Sequence, residues 1–396
     1  MERTVGTTVR GVRAPIVKEG DDLVNIVVES VLKSAESEDY KLNDRDVIGV
    51  TESLVARAQG NYAYIEDITY DVDRKFKGES LAVVFPILSR NRFFNILKGI
   101  ISTKKKIYLF LNYPSDEVGN CLMDIDKLDE AGINPYSDVL SEGEYRKVFG
   151  EKVLHPFTAI DYVHEYKKLA IDNNVEIYLA NDPKAALKYT KDILVASIHN
   201  RDRIKRILKR SGAETVYGLD EILNEPVNGS GFNPEFGLLG SNKASENRIK
   251  LFPRDSQSVV EEIQKEIKNR TGKNVEVMVY GDGAFKDPVG KIWEMADPVT
   301  SPGYTMGLKG TPNEIKLKYI ADNEFNNLKS CDMAEAMKKK IKEKENNLVG
   351  KEDSLGTTPR RITDLLGSLC DLTSGSGDKG TPIVLVQGYF DNYAVE

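Results

Sequence analysis

Between residue 105 and about residue 220 one rhythm repeats. The apolar runs KKIYLFLNYP, VEIYLANDP and DILVASIHN alternate with the helical stretches AIDYVHEYKKLAIDNN, PKAALKYTK and RDRIKRILKRSGA. Strands separated by helix-length segments return to a sheet by crossovers, which makes them parallel. The stretch therefore reads as a βαβ-type unit inserted in a longer chain. Within it, Ser141 and Glu144 form a capping box ahead of YRKVFG and predict a further helix start.

Elements of other kinds flank this unit. GDDLVNIVVESVLKSA (20–35) reads as an amphipathic helix with acids in its first turn, where they complement the helix dipole. DRDVIGVTE (44–52) and ESLAVVFPI (79–87) read as strands, and SRNRFFNILKGII (89–101) as a basic amphipathic helix. Downstream, NGSGFNPEFGLLGSN (228–242) has loop composition and SQSVVEEIQKEIKNRTG is a helix. MAEAMKKKIKEKENN (333–347) is a polar, peripheral helix, and IVLVQGYF is a buried strand. The expected organisation is mixed α/β in three segments: an N-terminal lobe (1–104), an inserted α/β subdomain (105–227) and a C-terminal lobe (228–396).

Bulk properties narrow the function classes. A chain of 396 residues exceeds what one hydrophobic core usually serves. A net charge of −7 argues against a general nucleic-acid or membrane-surface binder, so the basic RDRIKRILKR helix reads as a solvated face. The sequence shows no apolar run of the ~18 residues needed to cross a bilayer, and MERTVGTTVRGVRAP has no apolar signal segment. The cytoplasm is the expected compartment. Cys121, Cys331 and Cys370 make no CxxC pattern, and His155, His164 and His199 are scattered. Carboxylates, Lys/Arg and backbone amides are then the groups left for any chemistry.

Two stretches carry candidate chemistry. VEVMVYGDGAFKDP runs as a strand into Gly281-Asp282-Gly283. Asp-Gly is a turn pair. It also suits a site at a strand's carboxyl end, where bare backbone admits a phosphate or metal and Asp282 offers oxygen, with Lys286 facing an anion. In LGTTPRRITDLLGSLCDLTSGSGDKGTPIVLVQGYF, Thr358 reads as an N-cap and Pro359 as the first helical residue. Arg360 and Arg361 then fall in a first turn, where the dipole disfavours cations. An anionic ligand would account for them, and so would solvent or pairing with Asp364. The loop SGSGDKGTP can offer amides to phosphate or serve as a connector; no GxxxxGK[ST] motif occurs.

Taken in order, VRAPIVKEGDDL, DRDVIGVTESLVARAQG, Gly237-Leu238-Leu239-Gly240-Ser241-Asn242, LFPRDS, Gly281-Asp282-Gly283, TDLLG, Ser374-Gly375 and GTPIVLVQG resemble the coenzyme F420-0:γ-glutamyl ligase family. The similarity covers roughly residues 9–60, 236–310 and 357–390. It implies an F420-ligase-like α/β fold without a P-loop, commonly a homodimer. It also implies a GTP-dependent enzyme that joins L-glutamate through its amine to a small-molecule carboxylate acceptor, with Mg²⁺ or Mn²⁺.

By position, the resemblance places nucleotide contacts at Ala14, Pro15, Ile16, Val17, Glu52, Ser53, Arg57, Asn242 and Gly375. It makes Asp282 a metal ligand beside Gly283, and Asp282, Arg360 and Arg361 the catalytic candidates. Arg57 stands where the family has lysine. The family's second metal aspartate falls on Leu239, which cannot bind a cation, and Glu52 and Gly283 replace the usual hydroxyl side chains. Either Glu235, Asp287 or Asp297 takes over, or the metal site and the activity have changed. The alternatives are a nucleotide- or metabolite-binding protein that has lost ligation, and a bifunctional protein whose insertion has its own ligand.

Overall fold

The computed structural model describes residues 4–156, 158–281, 284–286, 293–295, 300–357, 360–374 and 378–394. In chain order the strands begin with β1 (Thr8–Val12), β2 (Val47–Thr51), β3 (Tyr62–Tyr64), β4 (Ser80–Val84) and β5 (Lys106–Leu111). Next come β6 (Leu140–Ser141), β7 (Val175–Leu179), β8 (Asp192–Val195), β9 (Thr215–Gly218), β10 (Asn242–Lys243) and β11 (Arg248–Lys250). The last are β12 (Glu276–Gly281), β13 (Ala284–Lys286), β14 (Trp293–Met295), β15 (Thr300–Tyr304) and β16 (Ile383–Gln387).

The chain forms two units. One is discontinuous, with Met1–Ala58, Asp255–Lys286 and the chain from Ile292 onward; the other spans Gln59–Arg254. The second unit thus begins well before residue 105. The reason is physical: β4 pairs with both β5 and β8 and lies inside the same sheet as the βαβ strands. The apolar run of β4 cannot be buried without them.

The first unit is built on a five-stranded sheet in the order β1-β16-β2-β12-β15. Side-chain alternation along β2 sorts its residues by face. Ile48 and Val50 join the helices Leu23–Ser37 and Ser256–Thr271 in one core, and Val47 joins Leu366 and Cys370 of the helix Ile362–Ser374 in another. A Cβ on Gly49 would lie 2.6 Å from Cys370 Sγ, so glycine is what lets that helix approach the strand. β12 sits between β2 and β15, and Val277 to Gly281 are all buried, so its apolar character on both faces has a direct cause.

Gly303 on β15 meets the backbone of Ser256 in the same way, with a Cβ position 2.5 Å from the carbonyl carbon and oxygen. Gly303→Ala is expected to displace the start of the helix Ser256–Thr271 and to cost about 1–3 kcal/mol, the usual range for overpacking. Urea unfolding of the two forms measures it.

The second unit has a six-stranded sheet in the order β6-β7-β5-β4-β8-β9, parallel except for the pairing of β6 with β7. The helix Phe93–Ile101, which follows β4, buries Ile96, Leu97 and Ile100 in the core on one face. The helix Arg201–Arg210, which follows β8, buries Ile204 and Leu208 in a separate core with Ala82, Val84 and Ile193. Neighbouring parallel strands therefore send their chains to opposite faces. PKAALKYTK forms a 3₁₀ turn, Pro183–Lys188, rather than an α-helix; Pro183 and the Asp182 cap set its start, and it ends within six residues. The predicted capping box is present: Ser141 Oγ accepts from Glu144 N, and Glu144 accepts from Ser141 N.

A buried ion pair ties this unit together. Arg146 Nη1 and Nη2 lie 2.6 and 2.9 Å from the two carboxylate oxygens of Asp161. Asp161, 6 % exposed, also accepts from the amides of Val153 and His164 and so caps the helix Tyr162–Lys167.

Candidate functional site

Strand directions bring four separate segments of the first unit to one end of its sheet. β2 and β12 are parallel, with Thr51 opposite Tyr280, and both finish there. β16 is antiparallel to β2 and starts there, where Thr51 N donates to Pro382 O at 3.0 Å. β1 is antiparallel to β16, so its carboxyl end, with Val12 opposite Ile383, arrives at the same place. The chain leaving β1 is held by Ala14 N donating to Gly380 O at 3.3 Å. Ala14 to Val17, Glu52 and Ser53, Gly281 and the chain around Gly380 thus meet at one edge, the carboxyl end of two parallel strands.

The local chemistry shows how the sequence builds this end. Val17 is buried as an anchor, while Ile16 stands 82 % exposed and Pro15 is exposed beside it. Asp21 accepts from Lys18 N at 2.7 Å, and Gly20 N donates to Ala58 O at 2.9 Å, closing the turn that follows. Asp22 is the N-cap of the helix Leu23–Ser37 and accepts from Asn25 N at 3.1 Å; no acid lies in the first turn itself. The two aspartates of GDDL therefore shape the loop. Glu52, 9 % exposed, opens the short helix Glu52–Ala58 directly at the end of β2, and Ser53 is half-buried after it. Arg57 projects from that helix, and its Nε donates to Val17 O at 3.2 Å, tying it to the 14–17 segment. Tyr280, one residue before the end of β12, is buried, and burial holds its phenol neutral by raising its pKa. Burial likewise raises the Cys370 thiol, which leaves it unreactive as a nucleophile.

Other candidate residues stand elsewhere. Asn242 belongs to the second unit, where its Oδ1 accepts from Asn91 Nδ2 at 3.0 Å and its Nδ2 donates to Gly240 O at 3.4 Å. Leu239 is buried in the apolar core of that unit. Glu235 is exposed. Asp282, Gly283, Gly375, Thr358, Pro359, Asp287 and Asp297 lie outside the described residues. The helix after Arg361 begins at Ile362, so Arg360 and Arg361 precede it and do not occupy its first turn. Arg361 pairs with Asp364, Nε to Oδ2 at 3.0 Å and Nη2 to Oδ1 at 2.9 Å. A nearby carboxylate thus accounts for its position, and a helix dipole puts no first-turn penalty on it.

Among the described residues no three His, Cys, Asp or Glu side chains cluster as a metal site.

The second unit has an end of ligand-binding type as well, outside the carboxyl ends of β4 and β8 where the chain changes face. Several of its donors are already engaged. Glu117 accepts from Ser197 Oγ at 3.0 Å, from His199 N at 3.1 Å and from Ile198 N at 2.5 Å. Asp116 accepts from the amides of Leu88, Val118 and Asn120, at 2.7, 3.1 and 2.8 Å.

The family model described as F420-0:Gamma-glutamyl ligase matches residues 11–388. No curated protein matches the chain. Among the described residues no helix is long and apolar enough to cross a membrane.

Proposed function

The chain belongs to the F420-0:gamma-glutamyl ligase family, a family of ligases, and from that premise we propose that it is a GTP-dependent γ-glutamyl ligase. Its substrates in this reading are L-glutamate and a small-molecule carboxylate of coenzyme F420-0-like or folate-like type. The observation that carries the reading is the convergence of Ala14–Val17, Glu52–Arg57, Gly281 and the chain before β16 at one sheet end.

Condensing a carboxylate with an ammonium group does not proceed unaided in water, so the acid must be activated. An acceptor carboxylate oxygen attacks the γ-phosphorus, and GDP leaves. The amine of glutamate, having lost a proton, then attacks the acyl carbon; the amide bond forms and phosphate departs. The chain's task is positioning. Ile16 and Pro15 offer an exposed apolar surface to a nucleotide, the start of the helix Glu52–Ala58 offers backbone amides at a strand end, and Arg57 brings a cation while bracing Val17. Mg²⁺ or Mn²⁺ held by Asp282 would offset phosphate charge. A homodimer in the cytoplasm completes the reading.

Arg57 provides the test. Lysine keeps the charge but loses the planar fork, whose Nε holds Val17 O and whose remaining N–H groups would meet a phosphate. Arg57→Ala is expected to weaken GTP binding about tenfold or more, by loss of a charge-assisted contact, and Arg57→Lys to weaken it less. Calorimetry that gives both variants the parent's affinity would remove this helix from the nucleotide site.

Burial of Leu239 favours a second reading, a nucleotide-binding protein that no longer ligates. GTP binding without glutamate-dependent phosphate release on any acceptor would select it.

A further inference from the structure

The crossover from β7 to β8 leaves part of one sheet face in the second unit without a helix. Parallel sheets are normally covered on both faces. Among the described residues, the buried core on this face takes Ile204 and Leu208 from the helix Arg201–Arg210 and nothing from any other α-helix. The β7–β8 connection supplies only the 3₁₀ turn Pro183–Lys188. Over β5 and β7, aromatic rings stand where a helix would lie. Tyr108 and Phe110, two apart in β5, share the face, and Phe110 sits opposite Tyr178 of β7. Tyr108 and Tyr178 are half-buried. Tyr189, 36 % exposed, closes the group, its ring centroid 4.9 Å from that of Tyr108 and 4.6 Å from that of Tyr178.

A row of cations runs beside the rings. Arg203, Arg206 and Arg210 are exposed, and at about 100° per residue they fall on one stripe of the helix, roughly 10 Å long. Arg201 and Lys205 lie on the opposite flank and are paired, Arg201 with Asp220 at 3.2 Å and Lys205 with Glu221. That flank faces the turn Leu219–Glu221 after β9. The arginine stripe therefore lies toward the Pro183–Lys188 turn, against which the helix also packs. Exposed Lys188 ends that turn, and Tyr189 follows it directly. None of Arg203, Arg206, Arg210 and Lys188 has a carboxylate partner among the described residues. The acids around the rings are engaged, Glu176 with Lys106 at 2.7 Å and with the Tyr178 hydroxyl, and Asp182 with Lys184 at 3.2 Å. Asp202, the one acid of the helix, falls on the flank of Lys205 and Lys209. The acidity of the whole chain does not extend to this unit. Residues 59–254 hold 28 Lys and Arg against 28 Asp and Glu, so the net −7 belongs to the rest.

Unpaired cations in line with exposed rings suit a ligand that repeats charge and flat apolar faces along one chain. A polyanion without bases would use the arginines and leave the rings unused. We propose that this face binds single-stranded nucleic acid, its phosphates on Arg203, Arg206, Arg210 and Lys188 and a base stacked on Tyr189. A duplex would hide the base faces that the rings take. The site lies within the second unit and does not rest on the ligase reading.

The test is fluorescence anisotropy of the full chain with a labelled oligouridylate of about 12 nucleotides, within the usual span of single-strand sites. Saturable binding is expected, with log affinity falling against log salt at a slope of about −2.8, or about 0.7 for each of four phosphate contacts. Arg206→Gln combined with Arg210→Gln should weaken binding about tenfold or more and flatten the slope by about 1.4. Tyr189→Leu keeps an apolar side chain without a ring; it should weaken binding about fivefold or more and leave the slope unchanged. If Tyr189→Leu also lowers the unfolding midpoint, the exposed arginine pair and its salt slope decide alone. No saturable binding, or parent affinity and slope in the arginine variant, would overturn the proposal. Equal affinity for poly-L-aspartate of the same length would overturn it too, since the face would then fit an acidic protein. So would full displacement of the oligonucleotide by saturating GTP, which would place binding at the nucleotide end. The ligase reading is tested separately, by glutamate-dependent phosphate release from GTP.

Discussion

Asp282→Asn is expected to lower Mn²⁺-dependent GTP affinity by at least about 100-fold, since loss of even an outer-shell partner costs a metal site 10- to 100-fold. The substitution keeps shape and removes charge, so it separates a metal ligand from a turn residue. The sequence places Asp282 directly after β12, and in the proposed ligase it is the carboxylate that would hold the cation. Titration of GTP in the presence and absence of Mn²⁺ reads the effect. Metal-independent affinity should be equal in the two forms. If the Mn²⁺-dependent increment is also equal, Asp282 is a turn residue only.

Asp161→Asn should destabilise the second unit by about 3–5 kcal/mol, the penalty for leaving one partner of a buried ion pair uncompensated. Arg146 would keep its charge at 11 % side-chain exposure with no carboxylate opposite it. The pH dependence follows from the direction of the Asp161 shift. Burial pushes its pKa up, but Arg146 and the His164 and Val153 amides outweigh burial and hold it below the ordinary value. A depressed carboxyl contributes stability above its unfolded pKa of about 3.9 and loses it as pH falls through the folded value. The gap between parent and variant should therefore be full at pH 7 and close progressively below about pH 4. Hydrogen exchange of the amides in the helix Tyr162–Lys167 measures it across that range. A gap unchanged down to pH 2 would mean that shape, not charge, makes the contact.

Much of the architecture could be read from the sequence because local pattern and burial agree. The strand at 47–51, the helix Leu23–Ser37 and the capping box at Ser141 lie where periodicity and cap chemistry put them. The Pro183–Lys188 turn misled because PKAALKYTK has helical composition in too short a span. Membership of β4 in the second unit was hidden for another reason: an apolar run announces burial without saying which strands cover it. At the candidate site, the family resemblance named Ala14–Val17, Glu52 and Arg57, yet only topology could show these two segments sharing a sheet end. The pairing of Arg361 with Asp364 was available from the three-residue spacing and turned on where the helix begins.

The second unit closes on itself at its two chain ends. Gln59 Oε1 accepts from Arg254 N at 2.9 Å, and Gln59 Nε2 donates to Arg254 O. Synthesis order gives this clasp a consequence. β2 emerges early, but its sheet neighbours are β12 and β16, more than 200 positions later. Contacts that distant in sequence form slowly, because a long loop must close before any burial rewards it. The clasped segment has all its sheet partners within 59–254 and can condense on the ribosome while β2 still waits. Once it has, Ala58 and Asp255, the first unit's residues next to the clasp, are held nearly as close as Gln59 and Arg254, and the loop that β2 must close shrinks accordingly. A nascent chain stopped before residue 276 should thus carry a protected second unit beside an unpaired β2, a state in which a holdase chaperone would find Val47, Ile48 and Val50 exposed.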